Sequence, residues 1–228
     1  MNPPLFQAQN LKKSFLFGAG GKVIEVLRGI DLTVQAGEML AVEGASGAGK
    51  STLLHILGTL DRPTEGKVFF QGQDLFDRTE AELAELRNRH IGFVFQLHHL
   101  LPEFSALENT LMPGLIQGWS QKKAEKDAER ILVQLGLQDR LHHKPGQLSG
   151  GEQKRVAVAR ALMLNPKVIL ADEPTGNLDT QIGEEVHNLF VRINREQGIT
   201  IIIVTHNPLL AARMTRRVRL TDGRVQEG

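Results

Sequence analysis

Three short, largely apolar runs punctuate the chain, and each stops on residues suited to chemistry. Residues 38–42 stop at a glycine-rich loop, residues 168–171 stop at Asp172 and Glu173, and the mostly β-branched residues 200–204 stop at Thr205 and His206. Runs this short and this apolar predict strands buried on both faces, as in a parallel sheet. In open parallel sheets ligands bind outside the carboxyl ends of the strands, so the three stops predict one functional edge. Helical apolar spacing resumes over residues 52–60, which makes the first run part of a strand, loop, helix unit.

Between residues 96 and 146 the period becomes helical, with Ala124, Ala128, Ile131, Leu132 and Leu135 on one face and charged residues on the other. The pattern predicts an inserted helical lobe. Residues 32–34, 67–70 and 91–95 are short strand candidates and predict an antiparallel patch beside the core sheet. Asp222-Gly223 reads as a terminal hairpin turn. Gly18-Ala19-Gly20-Gly21 lacks a strand before and a helix after it, and also reads as a hairpin turn. The fold class expected is α/β, a mostly parallel core sheet with an antiparallel β patch and an inserted α-helical lobe. The expected division of the single domain is a catalytic core of residues 1–95 and 155–228 and a helical lobe of residues 96–154.

Composition narrows the function. The 228 residues carry 27 basic and 26 acidic side chains, a formal net charge of +1, which marks neither nucleic acid nor anionic lipid as the main partner. Arg213, Arg216, Arg217 and Arg219 come nearest to a basic patch and read as a solvated face. With no cysteine there is no disulfide framework and no thiolate metal site, in keeping with a reducing compartment. No run approaches the ~20 apolar residues that span a bilayer, and the N-terminus shows no signal pattern. Any tie to a membrane is therefore expected to run through a partner protein.

The loop Gly44-Ala45-Ser46-Gly47-Ala48-Gly49-Lys50-Ser51 fits the phosphate-cradle pattern G-x-x-x-x-G-K-[ST]. Glycines let successive backbone N–H groups converge on a phosphate chain, and the helix that follows adds its positive end. Lys50 is expected to reach the terminal phosphates, Ser51 to hold Mg²⁺ through its hydroxyl, and Thr52 to support the phosphate contacts. Asp172 and Glu173 suggest divided labour, Asp172 steering the Mg²⁺ hydration shell and Glu173 polarising the attacking water. His206, on the same edge, suits a γ-phosphate contact that keeps water and base in line.

Together these runs resemble the nucleotide-binding subunit of an ATP-binding-cassette (ABC) transporter over essentially the whole chain. Residues 44–51 match that family's Walker A loop, 168–172 its Walker B strand, and Leu148-Ser149-Gly150-Gly151-Glu152 its signature motif. Gln96 matches the Q-loop glutamine, Asn177-Leu178-Asp179 the D-loop, and His206 the switch histidine. The resemblance implies a P-loop ATPase with ATP and Mg²⁺ as cofactors, Gln96 joining Ser51 and Asp172 around the metal, and Phe15 stacking on adenine where tyrosine is commoner. Core packing is the alternative reading of Phe15. It further implies a homodimer in which Ser149, Gly150 and Gly151 face the γ-phosphate held by the second copy. A plain helix cap is the other reading of that turn.

The stretch Phe95-Gln96-Leu97-His98-His99-Leu100-Leu101-Pro102-Glu103-Phe104-Ser105-Ala106-Leu107-Glu108-Asn109, followed by Met112-Pro113, is similar to one group of such cassettes, and within it to the lipoprotein-releasing ATPases; ATPases of related efflux or cell-division complexes in the same group are the alternative. That likeness implies integral membrane permease partners, a place on the cytoplasmic side of a bacterial inner membrane, no nucleic-acid partner and no direct lipid insertion. Adjacent histidines do not readily share one ion, so His98-His99 and His142-His143 read as interface or packing residues.

Overall fold

The computed structural model describes residues 3–17, 21–176 and 180–227. Gly18, Ala19 and Gly20 of the expected turn, and Asn177, Leu178 and Asp179, lie outside the described residues. In chain order the elements are β1 (Phe6–Phe17), β2 (Lys22–Val34), β3 (Met39–Glu43), α1 (Lys50–Leu57), β4 (Glu65–Phe70), β5 (Gln73–Asp74), α2 (Glu80–His90), β6 (Ile91–Val94), α3 (Ala106–Ile116), α4 (Gln121–Gln134), α5 (Gly150–Leu162), β7 (Val168–Asp172), α6 (Thr180–Gln197), β8 (Thr200–Thr205), α7 (Pro208–Ala211), β9 (Arg216–Thr221) and β10 (Arg224–Glu227). They form two compact units, Met1–Ala84 with Thr200–Gly228, and Glu85–Ile199. The expected division grouped residues 91–95 and 155–199 with the phosphate loop. These residues fall within the second unit.

In the first unit, β3 lies between two parallel neighbours, β8 with Met39 opposite Ile201, and β9 with Leu40 opposite Arg216. β10 closes the edge antiparallel to β9, and Asp222-Gly223 makes the turn between them. Every residue of β8 is buried, as is β3 up to Val42, which accounts for their unbroken apolar sequences. A second, antiparallel sheet has the order β2, β1, β4, β5. It contains the predicted strands at residues 32–34 and 67–70.

The second unit corrects one expectation. Residues 91–95 were expected in the antiparallel patch, yet β6 runs parallel to β7, with Ile91 opposite Val168 and Val94 opposite Ala171. A four-residue strand carries no signal of its own direction. Helix α2 brings the chain into β6, and burial of Ile91, Gly92 and Val94 selects a covered parallel position. The helical lobe follows its periodicity, since Ala124, Ala128, Ile131, Leu132 and Leu135 are all buried. Ser105 and Glu108 form a reciprocal cap at the start of α3.

Candidate active site

Strand β3 delivers the chain directly into the phosphate loop. Ala45, Ser46 and Gly47 are exposed, so their backbone is open to a ligand, while Lys50 is buried. The Lys50 ammonium donates to the carbonyls of Gly44 (2.9 Å) and Ala45 (3.0 Å), so the loop curls around the cation expected to meet the phosphates. Gly49, the residue before α1, has φ 102°. A side chain there is strained in the backbone and would also press within 2.8 Å of Leu27 Cδ2 and 3.0 Å of the Val26 carbonyl oxygen. Ser51 is exposed and Thr52 half-buried at the start of α1.

The same unit holds two further expected residues. The Phe15 ring is 41% exposed and lies across the β1–β2 ladder from Ile24, which excludes the core-packing reading. Lys13 Nζ sits 4.8 Å from the ring centroid. His206 follows the last residue of β8, is exposed, and lines a cavity of about 740 Å³ with Glu43, Gly44, Arg216, Arg217 and Arg219. The arginine stretch is thus only partly the solvated face its sequence suggests. Arg217 and Arg219 are exposed, whereas half-buried Arg216 pairs with Glu38 at 2.9 Å and donates to the Thr33 carbonyl.

In the second unit, Asp172 ends β7 and Glu173 follows it in the left-handed region at φ 43°, an uncommon conformation for a residue with a Cβ. The Gly176 amide donates to the Glu173 carbonyl (3.0 Å) and closes a tight turn. A Cβ at position 176 would stand 3.1 Å from Gln96 Nε2 and 3.3 Å from the Glu173 carbonyl oxygen. The fold therefore brings Gln96 against the turn that holds Glu173, although the two are far apart in the chain.

The signature turn is built as a capping box. Ser149 Oγ accepts from the Glu152 amide (3.2 Å), and a Glu152 carboxylate oxygen accepts from the Ser149 amide (2.8 Å). Arg140 Nε donates to the other carboxylate oxygen at 2.8 Å. The Ser149 backbone donor, with help from Arg140 and the Ser149 hydroxyl, holds the Glu152 carboxyl below the usual carboxylate range. The turn is a genuine helix cap, yet Ser149 and Gly150 remain exposed and open to a ligand. Gly151 is buried, and a Cβ there would come within 2.7 Å of Ile182 Cγ2.

Several residues with structural consequences carry no signal in the sequence. Asn109, 1% exposed, accepts from the Leu101 amide and donates to the carbonyls of Leu101, Phe104 and Ser105, pinning the loop before α3. Lys154, fully buried on α5, donates to the carbonyls of Phe95 (2.8 Å) and Gln96 (3.2 Å). Burial pushes its pKa down to about 8. Burial, with Lys154 and His99 acting in the same sense, pushes His98 down to about 4, so its imidazole is neutral near pH 7. Among the described residues no group of three or more His, Cys, Asp or Glu side chains is placed to hold a metal.

The family model described as ABC transporter matches residues 27–176, and the chain belongs to that family. The most similar curated relatives include the lipoprotein-releasing system ATP-binding proteins LolD of Geobacter metallireducens (58% identical) and Syntrophus aciditrophicus (56% identical). The matches cover 97% of this chain and 97% and 98% of those proteins, respectively. Among solved structures, the dimeric ATP-binding cassette MJ0796, in a post-hydrolysis state bound to ADP and Pi, superposes with a TM-score of 0.89 at 38% identity. That match covers 97% of this chain and 98% of MJ0796.

Proposed function

We propose that the protein is the ATP-hydrolysing subunit of a lipoprotein-releasing ABC complex. The observation that carries this reading is identity above 50% to LolD proteins over nearly the whole chain. No helix among the described residues is long and apolar enough to cross a membrane. The likeness to LolD proteins supports a place on the cytoplasmic side of a bacterial inner membrane, held there through LolC/LolE-like permease subunits. Exposed Leu97, Leu101, Phe104, Leu115 and Ile116 are apolar surface available to such a partner.

Each residue takes a defined role. Backbone amides of residues 44–49, with Lys50, Ser51 and Thr52, bind the phosphates of ATP. Phe15 stacks on the base. Ser51, Gln96 and Asp172 offer a hydroxyl, an amide and one carboxylate, too few donors for a closed protein cage. Such a set fits Mg²⁺, which keeps several waters and binds substrate phosphates. These residues would hold the ion, and Mg²⁺ bound there would supply charge neutralisation for the phosphates. Glu173 polarises the attacking water and His206 holds the γ-phosphate in line. Ser149, Gly150 and Gly151 complete the site of a second copy, so that ATP closes a homodimer and hydrolysis reopens it.

Glu173→Gln keeps the shape of the side chain and removes the base. Turnover is expected to fall by about 10²–10⁴, with nucleotide binding retained and an Mg-ATP-dependent dimer visible by light scattering. Purification of the tagged protein from its own membranes is expected to bring LolC/LolE-like subunits with it. Recovery of an efflux or cell-division permease instead would reassign the system while leaving the ATPase intact.

A further inference from the structure

Lys154 occupies an unusual position for a lysine. Its side chain is entirely buried, and among the described residues no carboxylate pairs with it. Its ammonium donates to two main-chain carbonyls, those of Phe95 and Gln96. A buried ammonium without a counter-charge is costly and persists only where the surrounding structure uses its donors. Here the donors fix one peptide at each side of the Gln96 α-carbon.

The anchor belongs to a longer arrangement along one helix. α5 begins at the signature turn, and Lys154 lies in its second turn. Arg160, about 9 Å farther along the axis at 1.5 Å per residue, donates to the carbonyls of His99 (2.7 Å) and His98 (3.0 Å). β6, which leads into this segment, lies against the same helix. A Cβ at Gly92 would come within 2.6 Å of the Ala161 carbonyl oxygen, so only glycine allows that approach. α5 thus grips the segment on both sides of Gln96. The Gln96 amide, in turn, lies beside the turn that carries Glu173.

We propose that Lys154 is a positioning residue for Gln96: by holding the carbonyls of residues 95 and 96 it fixes the direction of the Gln96 side chain and ties it to the helix that starts at the signature turn. The inference rests on the role given to Gln96 above. A shift of the signature helix then moves the glutamine that serves the hydrolytic site of the same chain. Arg160 holds the following residues, 98 and 99, and acts on the trailing half of the segment.

The test compares Lys154→Met, Lys154→Arg, Arg160→Met, Gln96→Ala and the Lys154→Met/Gln96→Ala double variant by steady-state ATPase kinetics, with hydrogen exchange of residues 94–100 measured without nucleotide. Outer partners of a metal-side ligand typically contribute about 10–100-fold to activity. Lys154→Met is expected to lower kcat in that range with the KM for ATP changed less than threefold. It should speed exchange at residues 95–97, and Lys154→Arg should restore most of both. The double variant should be no slower than Gln96→Ala alone, and Arg160→Met should cost less than Lys154→Met. If Lys154→Met does not fold, Lys154→Gln is judged by the same readings. Full kcat in Gln96→Ala would overturn the role of Gln96 itself. A low kcat in Gln96→Ala beside wild-type kcat in a folded Lys154 variant, or equal losses from Lys154→Met and Arg160→Met, would overturn the positioning role alone.

Discussion

Two glycine-rich turns, each opening a helix, use glycine for different reasons. In the phosphate loop Gly49 is needed for its backbone angle, φ 102°, as well as for space beside Leu27 and Val26. At the signature turn Gly151 is an ordinary helical residue, and what excludes a side chain there is Ile182 on α6. The phosphate loop is shaped by its own conformation and the signature turn by what packs behind it. The first kind of site can be read from local sequence, whereas the second requires knowing the neighbour.

The contrast can be broken by substitution. Gly49→Ala combines a left-handed backbone cost with overpacking, together about 2–5 kcal/mol. ATP binding measured by calorimetry should be lost or weakened by more than tenfold, and no second substitution nearby should restore it. Gly151→Ala should cost about 1–3 kcal/mol of stability in a denaturant titration, and Ile182→Ala in the same chain should recover much of it. A failure of that rescue would show that the signature turn also needs a special backbone.

The smallest effect sharpens the chemistry of the cap. Ser149→Ala should cost about 0.5–2 kcal/mol, and its cost should depend on pH through Glu152. The Glu152 carboxyl is held below its ordinary value of 4.5 in the folded state, so its contribution is full above that value. The contribution is lost as pH falls through the lowered folded value. The stability gap between wild type and Glu152→Gln should therefore narrow on acidification below pH 4.5.

Strand ends and the phosphate loop were legible because their signals are local: an apolar run, glycines at fixed offsets, a polar stop. The direction of β6 was not, because its partner β7 lies far along the chain and four residues carry no orientation signal. Lys154 was equally hidden. Between Gln153 and Arg155 it reads as one more polar residue on an exposed helix face, and only the approach of residues 95 and 96 turns it into a buried anchor. Asn109 shows the same limit. It sits in the segment whose likeness suggested a partner surface, yet its hydrogen bonds all turn inward.

The floor of the phosphate loop has a consequence for synthesis. A Cβ at Gly44 would come within 2.4 Å of the Leu220 carbonyl oxygen, so the loop rests directly on β9, and β9 pairs along β3. The residues that recognise phosphate leave the ribosome well before the strand beneath them. A nascent chain therefore carries the complete motif for a time without the support that shapes it, and competence to hold nucleotide arrives only when the β9–β10 hairpin docks.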